Sequence, residues 1–585
     1  MENFKDINRK YALNKIKKKL PYYYPKDNND ITVACILDEF SYECFKYEGL
    51  FFQLGTQNWK EVMKSQRPQL LFVESAWMGY KNEWINKIAN IQNSKDKTLL
   101  SIIGYCKENK IPTVFWAKED PYDFHIFIES AKHFDYIFTT DLDSIPKYKE
   151  ILNHDNVYLL PFAAQPKIHN PIDRDKEKIG TVAFAGGWYK KFPERCKQME
   201  SLLRPAFKYN LVIYNRFAKV NDSNFVFPEE YTPYLKNPID YKDMVKEYKK
   251  YEIFLNVNSI NISPTTFARR VFELLGSGIP IISSYSLGIE NYFKNIVMLS
   301  NSENDTEKYL SKLINNKELR DRLSILGQRQ ILNNHTYRHR FNTVLDTVGI
   351  NRKDSYCEGV SVITCTNRGF SLENILSNYL SQNYPLKELI IIINDDSISS
   401  EDWTNKLKVY NDISVFKLPQ TCTLGECLNF GVENSKYNYI SKFDDDDYYG
   451  PNYLTDSINT FKFTDAHIVG KYSIYAYLED SNTLALRYPN LENRYMNYIA
   501  GSTLTFKKDL FNKVKFRNIS KSEDTLFLKD SLDKGFRIYA SDRFNHAIIR
   551  RKDKSTHSWK ITDNEFMKKC IVMEKTHDFK PIITI

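Results

Sequence analysis

Short apolar runs recur along the first part of the chain, and each one ends in charged or polar residues. The runs that precede residue 166 are Ile31–Leu37, Gln69–Ser75, Thr113–Asp120, Asp135–Asp141 and Val157–Ala163. Amphipathic helical patterns lie between most of them, as at Glu83–Ile91 and Leu99–Asn109. Short strands that alternate with helices are typical of a parallel, doubly wound sheet, which binds ligands at its carboxyl edge. We therefore predict a Rossmann-like domain over residues 31–165.

The same alternation restarts near Ile179 and predicts a second Rossmann-like domain over residues 166–350. Its first segment, Thr181–Arg195, has the pattern of a strand, a Gly186-Gly187 turn and a helix. Glycines at such a turn let the backbone approach a phosphate group, and a helix N-terminus offers free N–H groups. Two further apolar runs predict strands at Leu211–Arg216 and Glu252–Asn258, and terminal helices are predicted within Glu307–Val348.

The segment Phe267–Ser284 carries candidate chemistry of this second domain. It reads as a helix with Arg269, Arg270 and Glu273, a glycine stop and a buried strand. At this place in a Rossmann-like domain a glutamate can bind a ribose diol and arginines can bind a diphosphate. An ordinary amphipathic helix with solvated arginines is the alternative.

A third α/β pattern follows a polar linker at Asn351–Glu358, and we place this domain at residues 357–585. The predicted strands and helices of its first part are Val360–Arg368, Leu372–Gln382, Glu388–Ser397, Ile413–Pro419, Leu424–Ser435 and a strand from Tyr437. The second long strand ends in Asp395-Asp396, and the last ends in four aspartates, Asp444–Asp447.

Four adjacent carboxylates repel one another, so a folded protein keeps them together only with compensation. A hard divalent cation takes oxygen ligands and often shares them with substrate phosphates. An acidic, solvated loop is the alternative reading of an isolated run. This run is not isolated, because Asp395-Asp396 precede it and Glu523-Asp524 follow it at a predicted helix start, where carboxylates are stabilised.

Composition narrows the function classes. Hydrophobic content of 42% and a charged fraction of 26% are ordinary for soluble protein, and the net charge of +9 comes from scattered lysines rather than a nucleic-acid-binding stripe. The nine cysteines read as reduced, cytosolic thiols. We expect no secretory signal and no membrane span. The basic segment 1–30 is a solvated helix packing on the first domain or a helix on anionic lipid, so peripheral membrane association stays open.

The stretches FVESAWMG, VFWAKEDPYDF, IFTTD, FAGGWY and FARRVFELLGSGIPIISS resemble the spore-maturation, B-type family of glycosyltransferases over roughly residues 31–348. The resemblance implies a GT-B arrangement of the two Rossmann-like domains, with a nucleotide-sugar site between them. To this site we assign Gly186, Gly187, Arg216, Arg269, Arg270 and Glu273. The family's second glutamate is absent, since Pro280 and Ile281 stand there, which leaves the activity of this half open.

Residues 360–559 resemble the inverting family 2 glycosyltransferases with the GT-A fold, because the order of motifs matches: TCTNR, an acid pair, an Asp-x-Asp cluster, Glu-Asp and a late histidine. The nucleotide-sugar contacts implied are Thr366, Asn367, Arg368, Asp395, Asp396, Asp444 and Asp445. The metal ligands implied are Asp444 and Asp446, with Asp446 the direct one, Asp447 its alternative, and His557 favoured over His546 to complete the shell. Leu428 stands where the family often has an arginine.

This resemblance implies metal-dependent transfer from a nucleotide sugar, with a UDP-sugar favoured as donor. Mn²⁺ or Mg²⁺ would bridge the diphosphate, and Asp524, beside Glu523, would deprotonate the acceptor hydroxyl of a glycan or protein. Transfer would then invert the anomeric centre. Family resemblance suggests a surface or spore glycan acceptor and polysaccharide biosynthesis in a spore-forming cell.

Four hypotheses stay open. Both halves transfer sugar; or only the GT-A half does, while the GT-B half binds acceptor or organises assembly. The third is a nucleotidyltransferase, although TCTNRG lacks the Gly-rich Arg-Lys signature that it requires. The fourth is a non-catalytic spore-surface protein, which would not need both acid motifs.

Overall fold

A computed structural model describes residues 31–89, 91–92, 95–351, 359–553 and 561–585. The basic segment 1–30, the linker beyond Asn351 and His557 lie outside the described residues. The described chain forms two compact units. Unit 1 holds the residues up to 171 and from 177 to 351, and unit 2 holds Ile172–Lys176 and the residues from 359 onward.

The first sheet of unit 1 is parallel throughout and has the strand order β2-β1-β3-β4-β5-β6. Its strands are β1 (Thr32–Ile36), β2 (Leu50–Gln53), β3 (Leu70–Glu74), β4 (Thr113–Ala117), β5 (Tyr136–Thr139) and β6 (Val157–Leu159). The helices are α1 (Glu39–Phe45), α2 (Trp59–Gln66), α3 (Thr98–Glu108), α4 (Phe124–Ala131) and α5 (Ile145–Leu152). The predicted parallel, doubly wound sheet is confirmed.

The prediction of a helix at Glu83–Ile91 is wrong. Residues 83–89 form successive turns, because Lys81, Asn82 and Asn86 adopt positive φ values of 53°, 62° and 54°. A left-handed residue cannot continue a right-handed helix. Trp84, Ile88, Ala89 and Ile91 are nevertheless buried, and the Trp84 indole N–H donates to the Leu54 carbonyl at 2.7 Å, whereas Ile85 is exposed.

The second sheet of unit 1 is also parallel, with the order β12-β11-β10-β7-β8-β9. Its strands are β7 (Gly180–Gly186), β8 (Leu211–Asn215), β9 (Leu235–Lys236), β10 (Tyr251–Asn256), β11 (Ile281–Ser284) and β12 (Met298–Ser300). The helices are α6 (Pro193–Leu203), α7 (Tyr241–Tyr248), α8 (Arg270–Gly276), α9 (Leu287–Phe293), α10 (Glu303–Ile314), α11 (Lys317–Asn334) and α12 (Tyr337–Val348).

Helix α12 packs on the first sheet rather than the second. The ring of Tyr337 lies edge-on to Phe45 with centroids 4.8 Å apart, and the ring of Phe341 lies 5.2 Å from Phe51. A contiguous hydrophobic stripe on α12 therefore completes the core beside β1 and joins the two sheets into one compact unit.

Unit 2 contains a mixed sheet with the order β15-β14-β13-β16-β22-β18-β23-β21 and a smaller sheet with the order β17-β24-β19-β20-β25. Its strands include β13 (Val360–Thr366), β14 (Lys387–Ile393), β16 (Tyr439–Lys442), β17 (Tyr448–Tyr449), β18 (Ile468–Gly470), β21 (Arg494–Met496) and β24 (His546–Arg550). The others are β15 (Ile413–Lys417), β19 (Ile474–Leu478), β20 (Thr483–Arg487), β22 (Thr505–Lys507), β23 (Ile538–Ala540) and β25 (Cys570–Lys575).

The helices of unit 2 include four that the apolar pattern did not predict, α14, α16, α18 and α19. The helices are α13 (Leu372–Leu380), α14 (Ser400–Leu407), α15 (Leu424–Glu433), α16 (Tyr453–Phe463), α17 (Glu523–Asp533), α18 (Asp563–Met567) and α19 (Lys580–Ile583). Strands β15, β14, β13 and β16 are parallel, so their carboxyl ends lie at one edge. The acid motifs follow the ends of β14 and β16 at that edge.

Candidate active site

The four aspartates form a loop between β16 and β17, and side-chain amides of α13 hold its backbone. Asn374 Nδ2 donates to the carbonyl oxygens of Asp445 (3.0 Å) and Asp447 (3.1 Å). Asn378 Nδ2 also donates to the Asp447 carbonyl at 2.9 Å, and its Oδ1 accepts from the backbone N–H of Tyr449 at 3.0 Å. The loop is thus fixed by the helix that follows β13.

The end of β13 contacts the carboxylates of this loop. The Thr366 hydroxyl donates to Asp445 at 2.5 Å, and Arg368 Nη1 lies 2.6 Å from Asp445 and 2.9 Å from Asp446. The two predicted sites, the TCTNR strand end and the acid loop, therefore meet. Asn367, between Thr366 and Arg368 in the sequence, is exposed.

The cationic side chains near the loop do not neutralise all of its carboxylates. Burial, followed by the charges of Asp447 and Asp445, raises the pKa of Asp446 to about 7, although Arg368 opposes it. Burial and the charge of Asp444 raise the pKa of Asp447 to about 8. A bound divalent cation would relieve this repulsion.

His546 on β24 lies beside the same carboxylates. Its Nε2 is 3.5 Å from Asp447 Oδ2 and 3.2 Å from the Ser502 hydroxyl. Burial and the charge of Lys471 lower the pKa of His546 to about 3, so the imidazole is neutral. Its Nδ1 is buried and has no hydrogen-bond partner among the described residues.

These side chains fit a divalent ion whose coordination shell is completed by phosphate oxygens of the substrate. Among the described residues, no three His, Cys, Asp or Glu side chains are arranged to hold a metal ion by themselves. Magnesium-type sites commonly use one or two carboxylates together with phosphate oxygens of the substrate. Asp446 and Asp447, with neutral His546 nearby, match that type of donor set.

Lys442, the last residue of β16, is a candidate that the sequence did not single out. Its Nζ lies 2.5 Å from Asp444 Oδ1 and 3.4 Å from the Gly501 carbonyl. Burial alone would lower the pKa of Lys442, but the charges of Asp444, Asp524 and Glu523 outweigh it and raise the pKa. The one available signal was a lysine inside an otherwise apolar strand, YISKF.

The predicted catalytic pair begins α17. Ser522 precedes it with a left-handed φ of 62°, and burial raises the pKa of Glu523. A Cβ on Gly501 would lie 1.4 Å from Asp524 Oδ2, so the carboxylate of Asp524 rests directly against that glycine. Lys442 also contacts the Gly501 carbonyl, and it therefore links the acid loop to the start of α17.

Asp395 and Asp396 follow β14, but their side chains make local contacts. Asp395 accepts from the N–H and the hydroxyl of Ser397, and these bonds lower the pKa of Asp395. Asp396 accepts from the Gln420 N–H at 3.3 Å. The Asn394 N–H donates to the Thr366 carbonyl at 2.8 Å, which places the pair beside the TCTNR strand end rather than in the acid loop.

In unit 1, Glu273 is buried and both of its carboxylate oxygens are engaged. The Tyr241 hydroxyl donates to Oε1 at 3.1 Å, the Tyr248 hydroxyl donates to Oε2 at 2.8 Å, and Arg269 pairs with Oε1. Burial alone would raise the pKa of Glu273, but Arg269 and then His169 outweigh it and lower the pKa. A ribose diol would have to displace these partners.

The other predicted residues of unit 1 gather at the carboxyl edge of the second sheet. Arg270 Nη1 donates to the Ala185 carbonyl at 2.5 Å, and the Arg216 N–H donates to the Gly186 carbonyl at 2.9 Å. A Cβ on Gly187 would lie 2.3 Å from the Phe217 ring, so the turn requires glycine there.

At the carboxyl edge of the first sheet, Lys118 is also paired. Its Nζ lies 2.5 Å from Asp38 and 3.0 Å from Glu74. The ring of Phe40 lies 4.4 Å from Lys118 Nζ and 3.9 Å from the Arg269 guanidinium carbon. Lys118, Arg269 and Arg270, cations at the carboxyl edges of the two sheets, thus already have protein partners.

Two family models match the chain. Residues 197–346 match the family described as "Glycosyl transferase-like", and residues 361–521 match "Glycosyl transferase family 2". The first match begins within α6 and covers strands β8 to β12 of the second sheet and the helices up to α12. The second falls on unit 2, from β13 to the residue before Ser522.

Individual proteins are similar over shorter stretches. Over 90 residues the chain is 31% identical to the poly-beta-1,6-N-acetyl-D-glucosamine synthase of Staphylococcus aureus, which covers 15% of this chain and 22% of that protein. Over 144 residues it is 28% identical to an uncharacterized glycosyltransferase of Rickettsia felis, which is 24% of each. The chain thus spans less than a quarter of these curated relatives.

Among solved structures, S. aureus TarS 1-349 in complex with UDP-GlcNAc aligns with a TM-score of 0.28 and 15% identity. The alignment covers 36% of this chain and 64% of that one. In the part of the chain that the structure describes, no helix is long and apolar enough to cross a membrane.

Proposed function

We propose that the chain is a glycosyltransferase, with a glycosyl transferase-like domain followed by a family 2 domain, and that the family 2 domain transfers sugar from a UDP-sugar to a hydroxyl acceptor with a divalent metal ion. The observation that carries this proposal is the meeting of the acid loop with Asp524 through Lys442. N-acetylglucosamine is the first sugar to test, because a similar protein is named as a synthase of its polymer.

In this proposal the nucleoside binds at the end of β13, near Thr366, Asn367 and Arg368, with Asp395 and Asp396 beside it. Asp446 and Asp447 would hold the metal ion, with Asp444 and Asp445 lining the site; His557 remains the predicted completing ligand, and His546 is the described alternative. The ion, Mn²⁺ or Mg²⁺, supplies Lewis-acid stabilisation of the diphosphate leaving group.

Asp524 is the proposed general base. It would take the proton of the acceptor hydroxyl while the acceptor oxygen bonds to the anomeric carbon and the bond to the diphosphate breaks, which inverts that carbon. Glu523 lies next to it and is partly neutralised by Lys442. Support for this role comes from the position of the Asp524 carboxylate at Gly501, beside the acid loop.

For unit 1 we propose a binding or assembly role without sugar transfer. The supporting observation is that Glu273 already accepts hydrogen bonds from Tyr241 and Tyr248 and pairs with Arg269. The alternative, a second active transferase site formed by Gly186, Gly187, Arg216, Arg269, Arg270 and Glu273, requires those bonds to open.

A thermal-shift experiment tests the proposal. We expect UDP-GlcNAc with Mn²⁺ to stabilise the protein, by about 2.7 kcal/mol at a hundredfold excess over the dissociation constant, while either ligand alone does much less. Glu273→Gln should leave this shift unchanged. An equal shift without metal contradicts metal dependence, and a shift lost in Glu273→Gln returns the donor site to unit 1.

A further inference from the structure

Three tyrosines of unit 2 form an aromatic surface next to the candidate base, which we call the tyrosine platform: Tyr472, Tyr488 and Tyr498. The ring centroids of Tyr472 and Tyr488 lie 5.2 Å apart, and those of Tyr472 and Tyr498 lie 6.1 Å apart at an interplanar angle of 87°. Tyr498 is 41% exposed, and the other two rings are half-buried. Tyr498 is the accessible ring of the three, because Arg487 and Lys569 lie over the Tyr488 ring at 4.8 and 5.5 Å and Tyr472 packs on the core of unit 2.

The platform lies beside Asp524. Tyr498 is three residues before Gly501, against which the Asp524 carboxylate rests. Burial and the charge of Asp524 raise the pKa of the Tyr498 hydroxyl, and a hydrogen bond with Thr525 opposes this rise. The exposed ring of Tyr498 and the carboxylate of the proposed base therefore border the same space.

The loop that carries Tyr498 is held in place by β18 and its extension. The Ala500 N–H donates to the Lys471 carbonyl at 2.9 Å, and the Lys471 N–H donates to the Thr503 hydroxyl at 2.9 Å. A Cβ on Gly470 would lie 2.4 Å from Ile499, so the two segments pack in direct contact. The position of Tyr498 relative to Asp524 is thus fixed by the fold.

Tyr488 is fixed as well, at a backbone cost. Its φ is +50°, a left-handed conformation that is unfavourable for a bulky residue. Its N–H donates to the Lys569 carbonyl at 3.0 Å, its own carbonyl accepts from the Ser473 hydroxyl at 2.6 Å, and its phenol oxygen accepts from Arg487 at 3.2 Å. Backbone strain of this kind persists only where the surrounding structure holds it, and it is found more often at ligand-binding sites.

We propose that the tyrosine platform is the acceptor subsite and that the acceptor is a saccharide rather than a protein hydroxyl. The negative faces of aromatic rings attract the C–H groups of a pyranose, and phenol oxygens offer hydrogen bonds to its hydroxyls. A sugar seated on Tyr498 presents a hydroxyl to Asp524. This inference rests on the proposed function, since it presumes that unit 2 transfers sugar to a hydroxyl.

The transfer at this subsite balances without a further reactant. The acceptor O–H bond breaks and its proton goes to Asp524, while the acceptor oxygen bonds to the anomeric carbon of the donor. The bond from that carbon to the diphosphate oxygen breaks, and UDP leaves with the electron pair. Water at the same place gives donor hydrolysis, which needs the donor site and Asp524 but no saccharide acceptor.

The experiment measures UDP release from UDP-GlcNAc with Mn²⁺ and compares three conditions: no acceptor, methyl glycosides of glucose and N-acetylglucosamine, and a peptide containing serine and threonine. We expect the glycosides to raise the wild-type rate of UDP release and the peptide to leave this rate unchanged. Tyr498→Ala should raise the KM for the glycoside by about tenfold and leave the KM for UDP-GlcNAc unchanged, whereas Tyr498→Phe should keep the glycoside KM near the wild-type value.

Tyr285→Ala is the matched control, because Tyr285 is 36% exposed but belongs to unit 1. The inference is overturned if no glycoside changes the wild-type rate, if the peptide alone accelerates it, or if Tyr498→Ala keeps the wild-type KM. Absence of any metal-dependent UDP release by the wild type is a different result, and it overturns the proposed function instead.

Discussion

At the scale of single residues, Lys442 decides whether the acid groups of unit 2 can stay together. Its ammonium contacts Asp444 and lies within the electrostatic reach of Asp524 and Glu523. One buried cation therefore serves the metal side and the base side of the proposed site. The Lys442 side chain is 8% exposed, so water screens little of its charge.

We expect Lys442→Met to lower turnover at least about tenfold and the free energy of unfolding by about 2 kcal/mol, since Asp444 remains partly solvated. Lys442→Arg should recover part of both quantities. Chemical denaturation and UDP release measure them, with exposed Lys513→Met as the control. Wild-type turnover in Lys442→Met would show that the lysine has no part in the site.

At the scale of elements, the active site depends on how tightly the loop before β22 packs against the start of α17. Gly501 leaves no room for a side chain, because its Cβ would fall on Asp524 Oδ2. Ser522, at a φ of 62°, sets the direction in which α17 begins. Loop and helix together fix the Asp524 carboxylate.

Gly501→Ala should force the Asp524 side chain to rotate away and reduce transfer by at least about tenfold, with a small effect on melting because a carboxylate end can move. Gly104→Ala is the control, because nothing lies within 4 Å of the new Cβ. We expect unchanged activity and a free energy of unfolding that is higher by about 0.5–1 kcal/mol, since alanine favours a helix. Transfer that survives in Gly501→Ala would remove Asp524 from the role of base.

The elements also show what a sequence pattern can and cannot predict. Long apolar strands such as β13 and β14 were predictable because their burial is continuous along the strand. The turns after Gly79 were mistaken for a helix because their apolar spacing is helical, although Asn82 and Asn86 have left-handed backbones. Strand β2 and helix α14 are short, and their apolar patterns are too brief to stand out.

For the site, the acid loop and its approach to Thr366 and Arg368 followed from motif order and the parallel topology. The pairing of Glu273 with Tyr241 and Tyr248 did not, because α7 and α8 are brought together only by packing. The tyrosine platform was not predictable for the same reason, because its members come from three separate segments.

At the scale of the whole molecule, unit 1 should lose stability in acid through a buried, neutral histidine. In unit 1 the Gln165 N–H donates to His169 Nδ1, so Nε2 carries the proton and donates to the Tyr241 hydroxyl at 2.9 Å. Burial lowers the pKa of His169 from 6.5 to about 4, with Glu273 opposing the shift and Arg269 adding to it. Protonation of this imidazole therefore favours unfolding.

The contribution of His169 is fully present above pH 6.5 and is lost as the pH falls toward 4, in total about 3 kcal/mol. His169→Gln should flatten this part of the curve of unfolding free energy against pH. Denaturant unfolding at stepwise pH values measures it. A variant curve parallel to that of the wild type between these pH values would contradict a neutral, buried His169.

We propose that transfer at the acid loop of unit 2 depends on a metal ion, and the rate of UDP release from UDP-GlcNAc by the wild type and by Asp446→Asn tests this claim. We predict that the wild type requires Mn²⁺ or Mg²⁺, that a chelator stops UDP release, and that Asp446→Asn is at least about a hundredfold slower with a melting temperature no lower than that of the wild type. Asp480→Asn, at an exposed turn, should match the wild type. A wild-type rate that survives chelation, or Asp446→Asn turning over normally, would contradict the claim.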